Sequence, residues 1–202
     1  MKKFILALVA MVTMTFTTAS AMSYEQARQQ ALFLTDKMAY ELNLTDDQYE
    51  AAYETNLDYL MSVNTVDDLY GIYWRQRNMD LSYILLDWQY RTFINASYFY
   101  RPLYWDAGYW HFGIYARYPH RDYFFFGRPH FYVSYRGGHS WRMNGGRSWY
   151  HGRDFGGPRP EGHPRVGMRD GFNRGDFGRG QSFGNMNRNN GNLNRNNGQS
   201  FG

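Results

Sequence analysis

The stretch Lys37-Met38-Ala39-Tyr40-Glu41-Leu42-Asn43-Leu44-Thr45-Asp46-Asp47-Gln48-Tyr49 holds the end of one helix and the start of the next, and that junction sets the fold. Thr45 is a helix-capping residue, and Gln48, at the third helical position, reaches back to the cap backbone. Asp46 and Asp47 fill the first turn, where the helix dipole favours negative charge, and Leu44 precedes the cap as a hydrophobic staple.

Working back from this junction, Ser23-Tyr24-Glu25-Gln26 is a second capping box. Behind it Ala27, Ala31, Leu34, Met38 and Leu42 recur at helical spacing, which predicts a first helix over 24–42. Working forward, Tyr49, Tyr53, Leu57 and Leu60 continue a second helical face to about residue 63. Asn64 is the expected corner, and Thr65-Val66-Asp67-Asp68 the expected start of a third helix carrying Leu69, Tyr73, Leu81, Ile84, Leu85 and Trp88. Isolated helices of this kind gain little without a partner face to bury, so they should fold back as a hairpin or small bundle.

The chain begins with the three parts of a secretory signal: Lys2 and Lys3, an uncharged apolar run over 4–16, and Ala19-Ser20-Ala21, with Ala19 and Ala21 as the small residues of the cleavage site. The run is diluted by threonines, too short to favour a membrane anchor. An exported protein beginning near Met22, periplasmic or at the cell surface, is expected. There is no cysteine, so disulfides, thiolate nucleophiles and cysteine zinc sites are excluded.

Net charge is +4 over 202 residues, but the halves are opposed. Residues 22–100 carry 12 acidic against 5 basic side chains, and residues 101–202 carry 15 arginines against 6 acidic ones. The first half is acidic and the second cationic, so the two can attract each other or face different partners.

Residues 97–135 are dominated by rings: 17 of the 38 residues over 98–135 are Phe, Tyr or Trp. Turn signals at Asp106-Ala107-Gly108, Pro119-His120-Arg121-Asp122 and Gly127-Arg128-Pro129 divide them, which predicts two or three short β-strands and a hairpin around 106–108. Beyond residue 136 the chain turns to Gly, Arg and Asn, and Asn187-Arg188-Asn189-Asn190-Gly191 returns as Asn194-Arg195-Asn196-Asn197-Gly198. That composition predicts a disordered tail over 136–202. The expected organisation is a signal peptide at 1–21, a mainly α domain at 22–96, an aromatic segment with short strands at 97–135, and the tail.

The LTxxQ motif at Leu44-Thr45-Asp46-Asp47-Gln48 resembles the Spy/CpxP-like family of periplasmic helical proteins. A degenerate second copy is read in Leu85-Leu86-Asp87-Trp88-Gln89-Tyr90, with Leu86 in the first position and Asp87 in place of Thr. The resemblance covers about 23–96. It implies a helical hairpin of the cell envelope, some relatives being ATP-independent chaperones and others stress or metal sensors, and it implies homodimerisation.

Candidate chemistry is sparse. Six histidines, His111, His120, His130, His139, His151 and His163, match no local ligand pattern, so neither a metal nor another cofactor is expected. Asp46/Asp47 and Asp67/Asp68 sit at helix starts, where capping accounts for them. No G-x-S-x-G, H-E-x-x-H, P-loop or dinucleotide fingerprint is present, and the expectation is a protein that is not an enzyme. Trp105, Tyr109, Trp110 and Tyr115 are candidates for stacking on a sugar or partner, although core packing is the commoner use of clustered rings. Arginine interleaved with glycine and rings, as in Tyr135-Arg136-Gly137-Gly138-His139-Ser140-Trp141-Arg142, suits phosphates, anionic lipid headgroups, acidic glycans or carboxylates. Three readings follow: protein interaction or chaperone-like stress protection through the hairpin, with protein clients or envelope partners; a surface or matrix binder of acidic polymers or glycans; and an RGG-type nucleic-acid binder, which the export signal disfavours.

Overall fold

The computed structural model describes residues 22–156, 166–178 and 180–182. The expected signal peptide with its cleavage residues Ala19 and Ala21, and the repeats beyond residue 182, lie outside the described residues.

Both capping boxes form as the sequence requires. Ser23 and Gln26 close the start of α1 (Tyr24–Glu41), and Thr45 and Gln48 close the start of α2 (Asp46–Ser62). Between them Asn43 takes a left-handed φ of 51°, a conformation Asn tolerates better than most residues, and turns the chain through the corner. The third helix starts later than expected. Val66–Asp68 make only one 3₁₀ turn, and α3 runs over Ile72–Ile84. The Leu69 carbonyl accepts a hydrogen bond of 2.9 Å from the Tyr59 hydroxyl. The helical face running on to Trp88 also breaks, at Leu85–Leu86, and α4 (Asp87–Asn95) begins there.

The fold is mainly α, with α1 packed on α2 and α2 on α3. α1 is not the one-faced helix its periodicity suggests: it is buried without a break from Ala31 to Ala39. α2 covers one side of it, and residues 123–126 and α7 (Met168–Arg174) cover others. A chain of polar groups crosses the packed helices. Asn56 donates to the Thr35 hydroxyl at 2.9 Å and accepts from Arg77 Nε at 2.8 Å, and Arg77 Nη2 donates to the Phe99 carbonyl at 2.9 Å. Arg77 is 2 % exposed, and burial lowers its pKa to about 10.

The aromatic segment opens with a short helix α5 (Ser97–Tyr100), followed by the expected hairpin of β1 (Leu103–Asp106) and β2 (Tyr109–Phe112). Its two-residue loop places Ala107 and Gly108 at positive φ, the geometry that fits the twist of a tight hairpin. After another helical turn, α6 (Ile114–Arg117), the strand β3 (Tyr123–Phe124) pairs antiparallel with β4 (Gln181–Ser182).

The unstructured tail expected from residue 136 begins too early. Residues 136–156 fold as a turn-rich arm whose rings return to the helices, with Tyr150 only 3 % exposed, and α7 docks against the α1–α2 corner. At that corner Met168 N donates to the Leu44 carbonyl at 2.7 Å, and Asn43 Nδ2 donates to Asp170 at 2.7 Å. The glycine-rich composition hid anchors that are sparse but large. Gly137 serves them by taking φ 81° where the backbone passes close to the Asp58 carboxylate.

Candidate functional site

The two motif glutamines meet in the interior. Gln48 Nε2 donates to Gln89 Oε1 at 2.7 Å, and Gln89 Nε2 donates back to Gln48 Oε1 at 3.1 Å. Each Oε1 also caps its own helix, accepting from Thr45 N and Leu86 N. Each Nε2 also donates to the last turn before the other motif, Gln48 to the Ile84 carbonyl and Gln89 to that of Leu42. This geometry corrects the register of the second copy: Leu85 matches Leu44, and Leu86 occupies the cap position of Thr45. Leucine has no oxygen to accept a hydrogen bond, so only the glutamine half of that capping box survives. The pair is an internal staple with no access for a ligand, since Gln48 and Gln89 are 0 % and 1 % exposed.

The acidic face of α2 is occupied from within. Glu50 accepts from the backbone N–H of His130 and meets its Nδ1 at 2.8 Å. One turn on, Glu54 is 2.6 Å from His139 Nδ1 and accepts from the Tyr150 hydroxyl at 2.8 Å. Asp58 follows, accepting from the Tyr135 hydroxyl at 2.8 Å, and Asp80 on α3 accepts from Trp141 Nε1 at 2.9 Å. The spacing of four puts the three α2 carboxylates on one face. Burial raises Asp58 to about 7 and Asp80 to about 6. On α1, Asp36 and Lys37 form a fully buried pair at 2.7 Å. Asp36 accepts from the backbone N–H groups of Phe125 and Phe126, and Lys37 donates to the Tyr123 carbonyl amid a cage of rings. Burial works against both charges, pushing Asp36 up and Lys37 down.

The helix carboxylates are thus taken mostly by Tyr, His and Trp donors, which leaves guanidinium groups outward. Arg101 stacks over Tyr70, Arg121 over Tyr115, Arg136 over Tyr24 and Arg153 over Trp149. None of these four has an acidic partner among the described residues.

Concave regions among the described residues include a pocket of about 340 Å³ between α2, α3 and the arm, lined by Asp58, Asp80, Arg136 and Trp141, and a wider one beside the hairpin. An open trough of about 650 Å³ lies between Tyr70, Tyr98, Tyr104, Arg101 and Arg117, with Gly113 and Ala116 also lining it. Glu41, the last residue of α1, anchors two of the lining residues by accepting from the Tyr98 hydroxyl and from Arg117 Nε, and it also accepts from the Tyr118 hydroxyl, each at 2.7 Å. Burial and this carboxylate push the Tyr98 phenol up to about 12. Opposite, the Tyr70 hydroxyl donates to the Leu103 carbonyl. Tyr104 stacks on its cross-strand partner His111 at 5.1 Å and 12°.

The ring residues singled out in the sequence are dispersed. Trp105 and Trp110 face each other across the hairpin at 4.8 Å, on the face packed against the core. Tyr109 lies at the hairpin tip, 71 % exposed, and strand alternation turns it to the other face from Trp110. Tyr115 belongs to α6 and packs on Phe33 and Phe112. The histidines are dispersed too: His151 meets Tyr83 edge-on, His163 lies outside the described residues, and no metal-binding group of three or more ligands occurs among the described residues. The trough has no signature in the sequence, because its residues come from three separate stretches with no shared spacing. The one available signal was Arg101 and Arg117, each next to a tyrosine at the ends of the hairpin region.

No family model matches the chain, and comparisons with curated proteins and with solved structures give no match.

Proposed function

We propose that this chain is a non-enzymatic, exported envelope protein that binds acidic polymers through the arginine- and tyrosine-bearing surface of its second half. The helices act as the scaffold. The observation that carries this reading is the use of charge. Glu50, Glu54, Asp58 and Asp80 are engaged by uncharged or histidine donors, and Arg101, Arg121, Arg136 and Arg153, stacked on rings without an acidic partner among the described residues, keep their charge for an external partner. Guanidinium groups stacked on rings are held in place and present planar donors to carboxylates or phosphates. Export rests on the signal-like start of the sequence. Among the described residues no helix is long and apolar enough to cross a membrane.

Equilibrium binding of the purified mature chain to an acidic polysaccharide and to a neutral one tests this. Acid-selective binding that weakens as salt is added is the expected result. Equal affinity for both polymers would overturn the reading.

A second reading, protein interaction or chaperone-like protection in line with the Spy/CpxP-like resemblance, is supported by apolar side chains left outward on α3 and α4. Ile72, Met79, Trp88 and Ile94 are 50 %, 47 %, 45 % and 39 % exposed. The geometry favours polymer binding, because α1, which a hairpin cradle would offer to a client, is enclosed. Suppression of client aggregation by the purified chain, lost in Trp88→Ser, would reverse that order.

A further inference from the structure

We infer that the trough walled by Tyr70, Tyr98 and Tyr104 and charged by Arg101 and Arg117 is a subsite for one carboxylated sugar unit of an acidic polysaccharide. This inference rests on the reading of the protein as an acidic-polymer binder. Three observations select the sugar acid from other anions. The first is charge. Arg117 is tied to Glu41 at 2.7 Å, whereas Arg101 has no acidic partner among the described residues, so the trough holds close to one uncompensated positive charge. That matches a single carboxylate better than a phosphate dianion.

The second is the walls. The phenol groups of Tyr70 and Tyr98 are committed to the Leu103 carbonyl and to Glu41, and Tyr104 is stacked on His111. Arg101 covers one face of Tyr70, Arg117 one face of Tyr98 and His111 one face of Tyr104, so each ring has its other, apolar face to offer. A pyranose has C–H faces to lay on such rings, and inorganic phosphate has none. The third is shape. The trough is open and within the size range of small-molecule sites, so a polymer can pass through it while one unit seats. Arg117, with Nε fixed, keeps its terminal nitrogens for ring hydroxyls.

Isothermal titration of the mature chain with three probes tests the assignment: oligogalacturonate, its methyl ester, and polyphosphate. Oligogalacturonate should bind, and the ester should bind at least about tenfold more weakly because the charge-assisted contact is gone. Arg101→Ala should cost oligogalacturonate about tenfold while changing polyphosphate affinity less than about threefold, since the latter is spread over the surface. Ala116→Glu places a carboxylate at an exposed position of the trough and should give the same selective loss, with circular dichroism confirming that both variants fold. Wild-type affinity for oligogalacturonate in both variants would overturn the subsite and leave the general reading standing. Binding of polyphosphate but not oligogalacturonate by the wild-type chain would overturn the sugar-acid assignment. Binding of neither would overturn the subsite and the general reading together.

Discussion

Gln48 and Gln89, 41 residues apart, exchange hydrogen bonds through their side-chain amides and at the same time cap the two helices they begin. Each amide therefore answers for several buried polar groups. Gln48→Ala leaves the Ile84 carbonyl and half of Gln89 without partners, and is expected to destabilise the fold by about 2–4 kcal/mol. Gln89→Ala should cost a similar amount. Because the two share one network, the double variant should lose less than the sum, with a coupling of roughly 1–2 kcal/mol in urea unfolding. Strict additivity would mean that the pair does not act as a unit.

The Asp36–Lys37 pair ties α1 to residues 123–126 in a site closed to water. Lys37→Met strands a buried carboxylate and should cost about 3–5 kcal/mol. Replacing both residues, as Asp36→Asn with Lys37→Met, should cost less than the single change. A double variant weaker than Lys37→Met would show that the pair stabilises the fold beyond the penalty of orphaning either member.

Acidity should stabilise the fold. Burial holds Asp58 at about 7 and Asp80 at about 6 in the folded protein, above the ordinary carboxylate value of the unfolded chain. The folded state therefore holds more protons. The stabilisation is complete below the unfolded value, about 3.9, and is lost as pH rises through 6 and 7. The urea midpoint should fall from pH 5 to pH 8, and Asp58→Asn should flatten that slope. An unchanged slope in Asp58→Asn would remove Asp58 as its source.

Gly167 lies against the Asn43 side chain so closely that a Cβ would overlap the carboxamide. Gly167→Ala should expel Asn43 from its contact with Asp170 and loosen α7 from the α1–α2 corner. A cost of about 1–2 kcal/mol and faster proteolysis around residues 166–178 are expected. Unaltered proteolysis would show that the corner tolerates the methyl group.

The helix starts were legible in the sequence because their chemistry is local: Ser23 with Gln26, and Thr45 with Gln48, lie three residues apart and need no tertiary partner. The hairpin at 106–109 was legible for the same reason. The late start of α3 was not, since Thr65 and Asp68 carry the same local cap chemistry yet begin only one 3₁₀ turn, and α3 starts after Gly71. The arm was misjudged because its anchors pair over long separations, Tyr150 with Glu54 and Trp141 with Asp80, inside a stretch whose average composition is that of a disordered chain. The second motif was visible but misplaced by one residue. Only the meeting of Gln89 with Gln48 fixes its register.

Hydrogen exchange of the intact chain tests most directly whether the helix carboxylates hold the second half in place. The amides to follow are Phe125 and Phe126, which donate to Asp36, and His130, which donates to Glu50. All three should exchange far more slowly than in the unfolded chain. Exchange at unfolded rates, with α1 and α2 still protected, would mean that the aromatic half is not anchored and that the outward set of arginines has no structural basis.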